Sequence, residues 1–430
     1  MSEKKKISRR DYLLAAGGIA AAAVVGGGAY YYYSRIPRIT AKEKPIKIGH
    51  VATFTGFYAD WGTYQDRGAR LAVEEINAAG GINGRPIEYY AEDDAAAGRP
   101  DITTGLRKAE KLINEVGIEF LLSTEHSGVG LALEDLCWKY HIPQFTSISC
   151  SEYFRSANWK RTSFFMNPDM YIQDVGFPEF MVKKYGKKCY IFSVDYAMGR
   201  ADCRQWYWAI LREGGEVVGI SWGALGTPDF TPWFPKIKAA KPDFLYLAFA
   251  GLDVVRCVKQ LYEFGITPDV LPKAGPDCAV IETEIPLAEK EYEDFFTNQL
   301  YWSGTDVPRG KAFTEAYRKR WGETPGNCAA YAYDNVYLIK QAIERAGGTT
   351  KEAGWENICK AIETIGDFQS VEGPKWIRPE DHAMFSDMTL LQIKKGKFVP
   401  VGKVDRQTII KAVPPRVGEV PKDPPKEAGW

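Results

Sequence analysis

Short apolar runs alternate with longer amphipathic stretches along most of this chain, beginning at Ile46. Residues 46–53 read as a strand and 64–79 as a helix, with Gly80-Gly81 as its stop signal. A strand at 87–93, a helix at 101–116, a buried strand at 119–123, a helix at 128–140 and a short strand near 144–147 follow. The same order then returns: strand 189–194, helix 199–213, strand 216–222, helix 231–240, strand 244–249 and helix 252–264. Such alternation predicts an α/β fold of parallel sheets with helices on both faces. Residues 158–168 separate the two blocks, so two similar lobes are expected. The last part departs from this order. It has helices at 311–321, 329–346 and 355–365, then a hairpin of 389–394 with 398–404 turning at Lys395-Gly396-Lys397. From Pro414 the chain is Pro-rich and is expected to form a flexible tail.

The N-terminus follows another pattern. Lys4, Lys5, Lys6, Arg9 and Arg10 precede an almost uncharged apolar run at 12–33, the layout of an export signal. Ser8-Arg9-Arg10-Asp11-Tyr12-Leu13 resembles the twin-arginine motif, which sends folded proteins across the membrane. The apolar run has about the ~20 residues that cross a bilayer. Tyr30 to Tyr33 suit the outer interface. No Ala-x-Ala cleavage site stands out, so the expectation is an uncleaved or late-cleaved signal that tethers the protein outside the cytoplasm. The first cysteine is Cys137, which excludes a lipoprotein anchor. Residues 35–45 read as a linker.

Composition narrows the function by exclusion. The 430 residues allow two or three domains. Lys plus Arg and Asp plus Glu both number 55, so no global field favours nucleic acid. Eight scattered cysteines without a Cys-x-x-Cys pair argue against a disulfide scaffold or a zinc ribbon, and buried free thiols are expected. The four histidines show no metal-ligand spacing, and neither a metal nor a cofactor is expected.

Open parallel sheets bind ligands at the carboxyl ends of their strands, which directs attention to the loops there. The first such loop, Phe54-Thr55-Gly56-Phe57-Tyr58-Ala59-Asp60-Trp61-Gly62, has no Gly-x-Gly-x-x-Gly phosphate cradle but is rich in aromatic rings that could stack on an organic solute. Ser123-Thr124-Glu125-His126-Ser127-Gly128 runs into a helix, where hydroxyls and free N–H groups could hold a carboxylate or amide oxygen. Ser127 could equally act only as the N-cap. Gly219-Ile220-Ser221-Trp222-Gly223 matches Gly-x-Ser-x-Gly, yet Ser221 falls inside a strand rather than on a strand-to-helix turn, so no catalytic nucleophile is expected. Glu92-Asp93-Asp94 lacks further ligands and reads as a solvated loop.

Several segments together resemble the branched-chain amino acid-binding family, the type I periplasmic binding proteins of ABC transporters. Ile46-Lys47-Ile48-Gly49, Phe54-Thr55-Gly56 and the run from Ala72 to Gly84, with its Asn77-Ala78-Ala79-Gly80-Gly81-Ile82-Asn83-Gly84, carry the likeness in the first block. Tyr196-Ala197-Met198-Gly199, Gly214-Gly215-Glu216-Val217-Val218, Asp229-Phe230-Thr231, Pro242-Asp243-Phe244 and Gly373-Pro374 extend it. The resemblance implies two lobes joined by three hinge crossovers, near Pro168, Trp302 and Trp376. Lobe 1 would comprise 46–167 plus 303–375, and lobe 2 would comprise 168–302 plus 376–413. It implies a ligand in the inter-lobe cleft, closure by population shift, and delivery to ABC permease subunits with a cytoplasmic ATPase. A sensor of the same fold in a signalling system is the alternative. Carried over residue by residue, Trp61 stands at an aromatic pocket position, and Ser127 where a serine holds a ligand carboxylate. Cys150, next to Ser149, takes the place of a threonine hydroxyl. Met198 occupies a cleft-facing tyrosine position, and Asp277 stands for a glutamate that pairs with a ligand ammonium.

Overall fold

The computed structural model describes residues 44–430, so Arg9, Arg10 and the apolar run at 12–33 lie outside the described residues. Among the described residues no helix is long and apolar enough to cross a membrane. The first sheet is entirely parallel, in the order Ile87–Asp93, Ile46–Ala52, Phe120–Ser123, Gln144–Thr146, Ser163–Phe165. Its inner strands are apolar on both faces, as a sheet covered by helices on both sides requires: Ile46, Ile48, Phe120, Leu121 and Leu122 are all fully buried.

The second sheet has seven strands. Glu216–Gly223, Lys188–Val194, Phe244–Ala248, Lys273–Ala274 and Phe296–Gln299 run parallel, and the hairpin Met388–Lys394 with Lys397–Val404 adds to the last of them antiparallel. The C-terminal hairpin is therefore an integral edge of this sheet. The helices Ala59–Ala78 and Asn327–Ala346 approach so closely that a Cβ on Gly68 would sit 2.0 Å from the Ala329 carbonyl oxygen. The first of these helices starts five residues before the expected position 64. Asp60 in its first turn suits the positive end of the helix dipole.

Buried ion pairs tie together the segments expected to act as hinges. Lys375 Nζ donates to the Met166 carbonyl at 2.7 Å and pairs with Glu372 at 2.9 Å, with both side chains fully buried. Arg155 bridges Asp169 and Asp381, the latter at 2.8 Å, and Arg378 also pairs with Asp381. Such groups hold a fixed geometry because losing one partner strands the other charge in a dry interior. All eight cysteines are free and buried.

Two expectations need correction. Glu92-Asp93-Asp94 is not a solvated loop. Asp94 is fully buried and accepts from the hydroxyls of Thr53 at 2.7 Å and Thr124 at 2.6 Å. Asp93 accepts from the Phe54 N–H and the Thr55 hydroxyl, and Glu92 pairs with Lys108 and Lys111. These carboxylates therefore fix the strand-end loops to one another. The tail from Pro414 is likewise docked rather than flexible. The Trp208 indole N–H donates to the Lys422 carbonyl at 2.7 Å, and that of Trp222 to the Gly429 carbonyl at 2.8 Å. Asp423 pairs with Arg204 at 2.7 Å, and the Gly418 N–H donates to the Ser156 carbonyl at 2.9 Å. A proline-rich chain is already restricted when unbound, so docking it costs less conformational entropy, and indole donors on the protein satisfy its carbonyls.

Candidate functional site

The carboxyl ends of the two sheets face each other, and the loops that leave them meet across a closed cleft. Thr53 to Tyr58 follow the strand Ile46–Ala52, and Thr124-Glu125-His126 follow Phe120–Ser123. From the opposite side come Asp195-Tyr196 after Lys188–Val194, Gly251 shortly after Phe244–Ala248, and Gly275-Pro276-Asp277 after Lys273–Ala274.

Aromatic side chains seal this cleft. The hydroxyls of Tyr58 and Tyr196 are 3.1 Å apart, and the Tyr196 ring stacks on His126 with centroids 4.5 Å apart. Trp61, only 3% exposed, donates its indole N–H to Glu284 Oε1 at 2.9 Å. Gly251 meets Trp61 and Tyr58 from the second lobe, and its φ of +59° is a backbone conformation that favours glycine.

Beneath the rings lie carboxyl groups with little or no counter-charge. Asp277 is fully buried, and among the described residues no Lys or Arg forms an ion pair with it. Burial pushes its pKa up to about 7, against the opposing pull of Gln173 and Tyr331 nearby. Glu125 accepts from Gln65 Nε2 at 3.1 Å through one oxygen while the other is unpartnered. Burial, reinforced by Asp94, raises its pKa to about 8. Glu284 rises to about 7 through burial, opposed by the Trp61 N–H. Burial also lowers His126 to about 4, so its ring is neutral where it stacks on Tyr196. Ionised carboxylates without a counter-charge are costly in such a place, so burial favours their protonated forms.

Of the expected site residues, Trp61 and Asp277 reach the cleft from opposite sheets. The Cys150 thiol faces that of Cys278, and this contact together with burial holds it well above the ordinary thiol range. Cys150 N–H donates to Ser127 Oγ at 3.3 Å. Ser127 is not the N-cap: His126 takes that position, its Nδ1 accepting from the Val129 N–H at 3.3 Å. Ser149 donates its hydroxyl to the Thr124 carbonyl at 2.6 Å. Met198 belongs to the buried apolar core, and its neighbour Tyr196 makes the cross-cleft contact. Tyr58, Glu125, His126, Tyr196 and Glu284 were not singled out from the sequence. The first three lie within the strand-end segments that sequence reasoning had marked, and Tyr196 lies in a segment that carried the family resemblance.

Ser221 lies within the strand Glu216–Gly223, 2.7 Å from the Tyr190 hydroxyl, and forms no nucleophile elbow. Among the described residues no three or more His, Cys, Asp or Glu side chains come together as a metal site. A cavity of about 490 Å³ beside Trp302, Pro374, Lys403 and Arg406 lies away from the cleft. Its basic residues are already paired, Lys403 with Asp387 and Arg406 with Asp367.

Two α/β lobes closed over a polar cleft at their strand ends define a solute-binding architecture. Residues 45–397 match the periplasmic binding protein family, and the chain belongs to that family. Among its relatives, the leucine-, isoleucine-, valine-, threonine- and alanine-binding protein of Pseudomonas aeruginosa is 24% identical over 318 residues, 74% of this chain and 82% of the relative. Leu/Ile/Val-binding protein homolog 3 of Brucella melitensis is 26% identical over 330 residues, 74% of this chain and 83% of the relative. A solute-binding protein of an ABC transporter from R. palustris, solved with benzoate, shares the fold with a TM-score of 0.77 at 22% identity, covering 84% of this chain and 97% of that one. The branched-chain amino acid transporter substrate binding protein from Streptococcus pneumoniae, solved with isoleucine, gives 0.73 at 24% identity, covering 84% and 100%.

Proposed function

We propose that this protein captures one small polar organic solute in the cleft between its lobes, outside the cytoplasm, and delivers it to the permease of an ABC importer. On this reading lobe 1 comprises residues 46–167 plus 303–375, lobe 2 comprises 168–302 plus 376–413, and the segment with Arg9 and Arg10 exports the chain and tethers it to the membrane. The observation that carries the reading is the closed cleft itself. Trp61 and Tyr58 from one side meet Glu284 and Tyr196 from the other, beside the buried carboxyl of Asp277. A ligand touching both sides favours the closed form by its differential affinity, and the permease can read that form. The relatives' named ligands, branched-chain amino acids and benzoate, set the size expected of the solute.

A thermal-shift screen of the full-length protein in mild detergent against amino acids, amides, amines and aromatic acids tests this. At a hundredfold excess over its dissociation constant the true ligand should add about 2.7 kcal/mol of stability. A flat response from folded protein across the whole set counts against capture.

A further inference from the structure

The second sheet runs from the edge strand Lys397–Val404 to the opposite edge strand Glu216–Gly223, and its seven strands at about 4.8 Å spacing put those edges roughly 29 Å apart. The helix Arg406–Ala412 follows the first edge. Residues 414–430 then cross to the second, where the Gly429 carbonyl accepts from the Trp222 indole at 2.8 Å.

On the way this segment touches each part that opening of the lobes would move. At the hinge, Arg378 Nη1 donates to the Val413 carbonyl at 2.6 Å, and the Arg416 guanidinium lies 4.5 Å from the centroid of the Tyr171 ring. Arg378 and Tyr171 stand shortly after the crossovers expected at Trp376 and Pro168. On the first lobe, the Gly418 N–H donates to the Ser156 carbonyl at 2.9 Å, and Ser156 lies between two strands of the first sheet, Gln144–Thr146 and Ser163–Phe165. On the second lobe, the helix Ala197–Arg212 holds the segment through Trp208, which donates to the Lys422 carbonyl, and through Arg204, which pairs with Asp423 at 2.7 Å. Pro421 and Pro424 are buried there. The rings of Trp430 and Trp222 have centroids 5.3 Å apart, and the guanidiniums of Arg200 and Arg204 each lie 5.1 Å from the Trp430 ring.

Arg204 links this segment to the contact between the lobes. The same guanidinium pairs with Glu152, which precedes Ser156 in the first lobe, and both side chains are buried. Moving Glu152 and Ser156 away from Arg204 would pull one end of the segment loose or leave a buried charge without its partner. A segment bonded to both lobes favours the arrangement in which all of its bonds are made, and here that arrangement is the closed one. Its prolines suit the task, because a proline-rich chain is stiff and passes on tension instead of stretching.

Resting on the reading that the lobes open and close around a solute, we propose that residues 414–430 form a brace across the hinge, pinned to both lobes, that holds the empty protein toward its closed form.

Energy transfer between one dye on each lobe, recorded at pH 5 and pH 8 without solute on the full-length protein in mild detergent, tests this against a form lacking residues 414–430. The deletion is expected to shift the ratio of open to closed protein toward open by about tenfold or more at pH 5, as loss of several hydrogen bonds and an ion pair requires. Gly418→Pro removes the bond to Ser156 and cannot adopt the φ of +79° found there. It should shift the ratio roughly two- to tenfold in the same direction, and it carries the test if the deletion does not fold. A peptide of residues 414–430 added to the deletion form should restore closure. Unchanged ratios in both variants, with the full-length protein still moving between pH 5 and pH 8, overturn the brace and leave the opening of the lobes standing, even if the variants resist denaturant less well. No change of distance in any of the proteins at either pH overturns the opening of the lobes and the brace with it.

Discussion

Replacing Asp277 by Asn should let the empty cleft close at pH 8. In the closed form burial moves this carboxyl from its ordinary 3.8 to about 7, the lost hydration outweighing its hydrogen bonds with Gln173, Cys278 and Tyr331. The open form hydrates the group and returns it to its ordinary value. The closed form therefore binds more protons, and closure driven by this group is favoured at low pH and lost as pH rises from about 4 to about 7. Above that window the ionised carboxylate opposes empty closure by on the order of 4 kcal/mol at most, about a thousandfold. An amide at 277 has no charge to desolvate, so its contribution to the pH dependence vanishes. The groups facing Asp277 are Asp202 on the helix Ala197–Arg212, Tyr331 and Cys328 on the helix Asn327–Ala346, and the thiols of Cys150 and Cys278. Glu125 and Glu284 titrate in the same range, so the variant's profile should flatten rather than disappear. Fluorescence energy transfer between dyes on the two lobes, recorded from pH 5 to pH 8 without ligand, reads the equilibrium. The wild type should close more at pH 5 than at pH 8, and the variant should close more than the wild type at pH 8. Equal closure of the two proteins at pH 8 would refute the reasoning.

Trp61→Ala should weaken whatever ligand is found by roughly tenfold or more, because it removes ring area from the cleft and strands the buried Glu284 carboxyl, which calorimetry would register. Arg204→Ala should destabilise the protein by on the order of 3 kcal/mol at pH 8 in chemical denaturation, since Glu152 loses its buried partner and the docked tail loses its Asp423 anchor. The loss should shrink at pH 5, because burial already raises the Glu152 pKa and a proton can replace the guanidinium there. Changing both Arg9 and Arg10 to Lys should leave the protein in the cytoplasm, as cell fractionation would report. Normal export of that variant removes the twin-arginine reading.

The alternation of strand and helix was legible in the chain because each element is specified locally, by an apolar run of strand length or an amphipathic period. The positions of Trp61 and Asp277 were legible for a related reason: both follow strands at the carboxyl edge, where a sheet must leave its loops open. The other half of the cleft was not. Tyr58 meets Tyr196 across 138 positions and Trp61 meets Glu284 across 223, and no local pattern encodes those pairings. Asp94 looked solvated because a carboxylate triplet is usually exposed. Only the fold shows Thr53 and Thr124 arriving from two other strands to bury it. The tail misled in the same way. Its prolines suggested disorder, while the indoles that dock it, Trp208 and Trp222, lie more than 200 residues earlier in the chain.

The central claim is that a solute bound between the lobes holds them shut. Small-angle scattering of the full-length protein in detergent matched to solvent density, at pH 8 with and without the solute identified by titration, tests it most directly. The account predicts a more extended particle when empty and a compact one when filled, with the change reduced in Trp61→Ala at the same solute concentration. Identical profiles with and without a solute shown to be bound would contradict it.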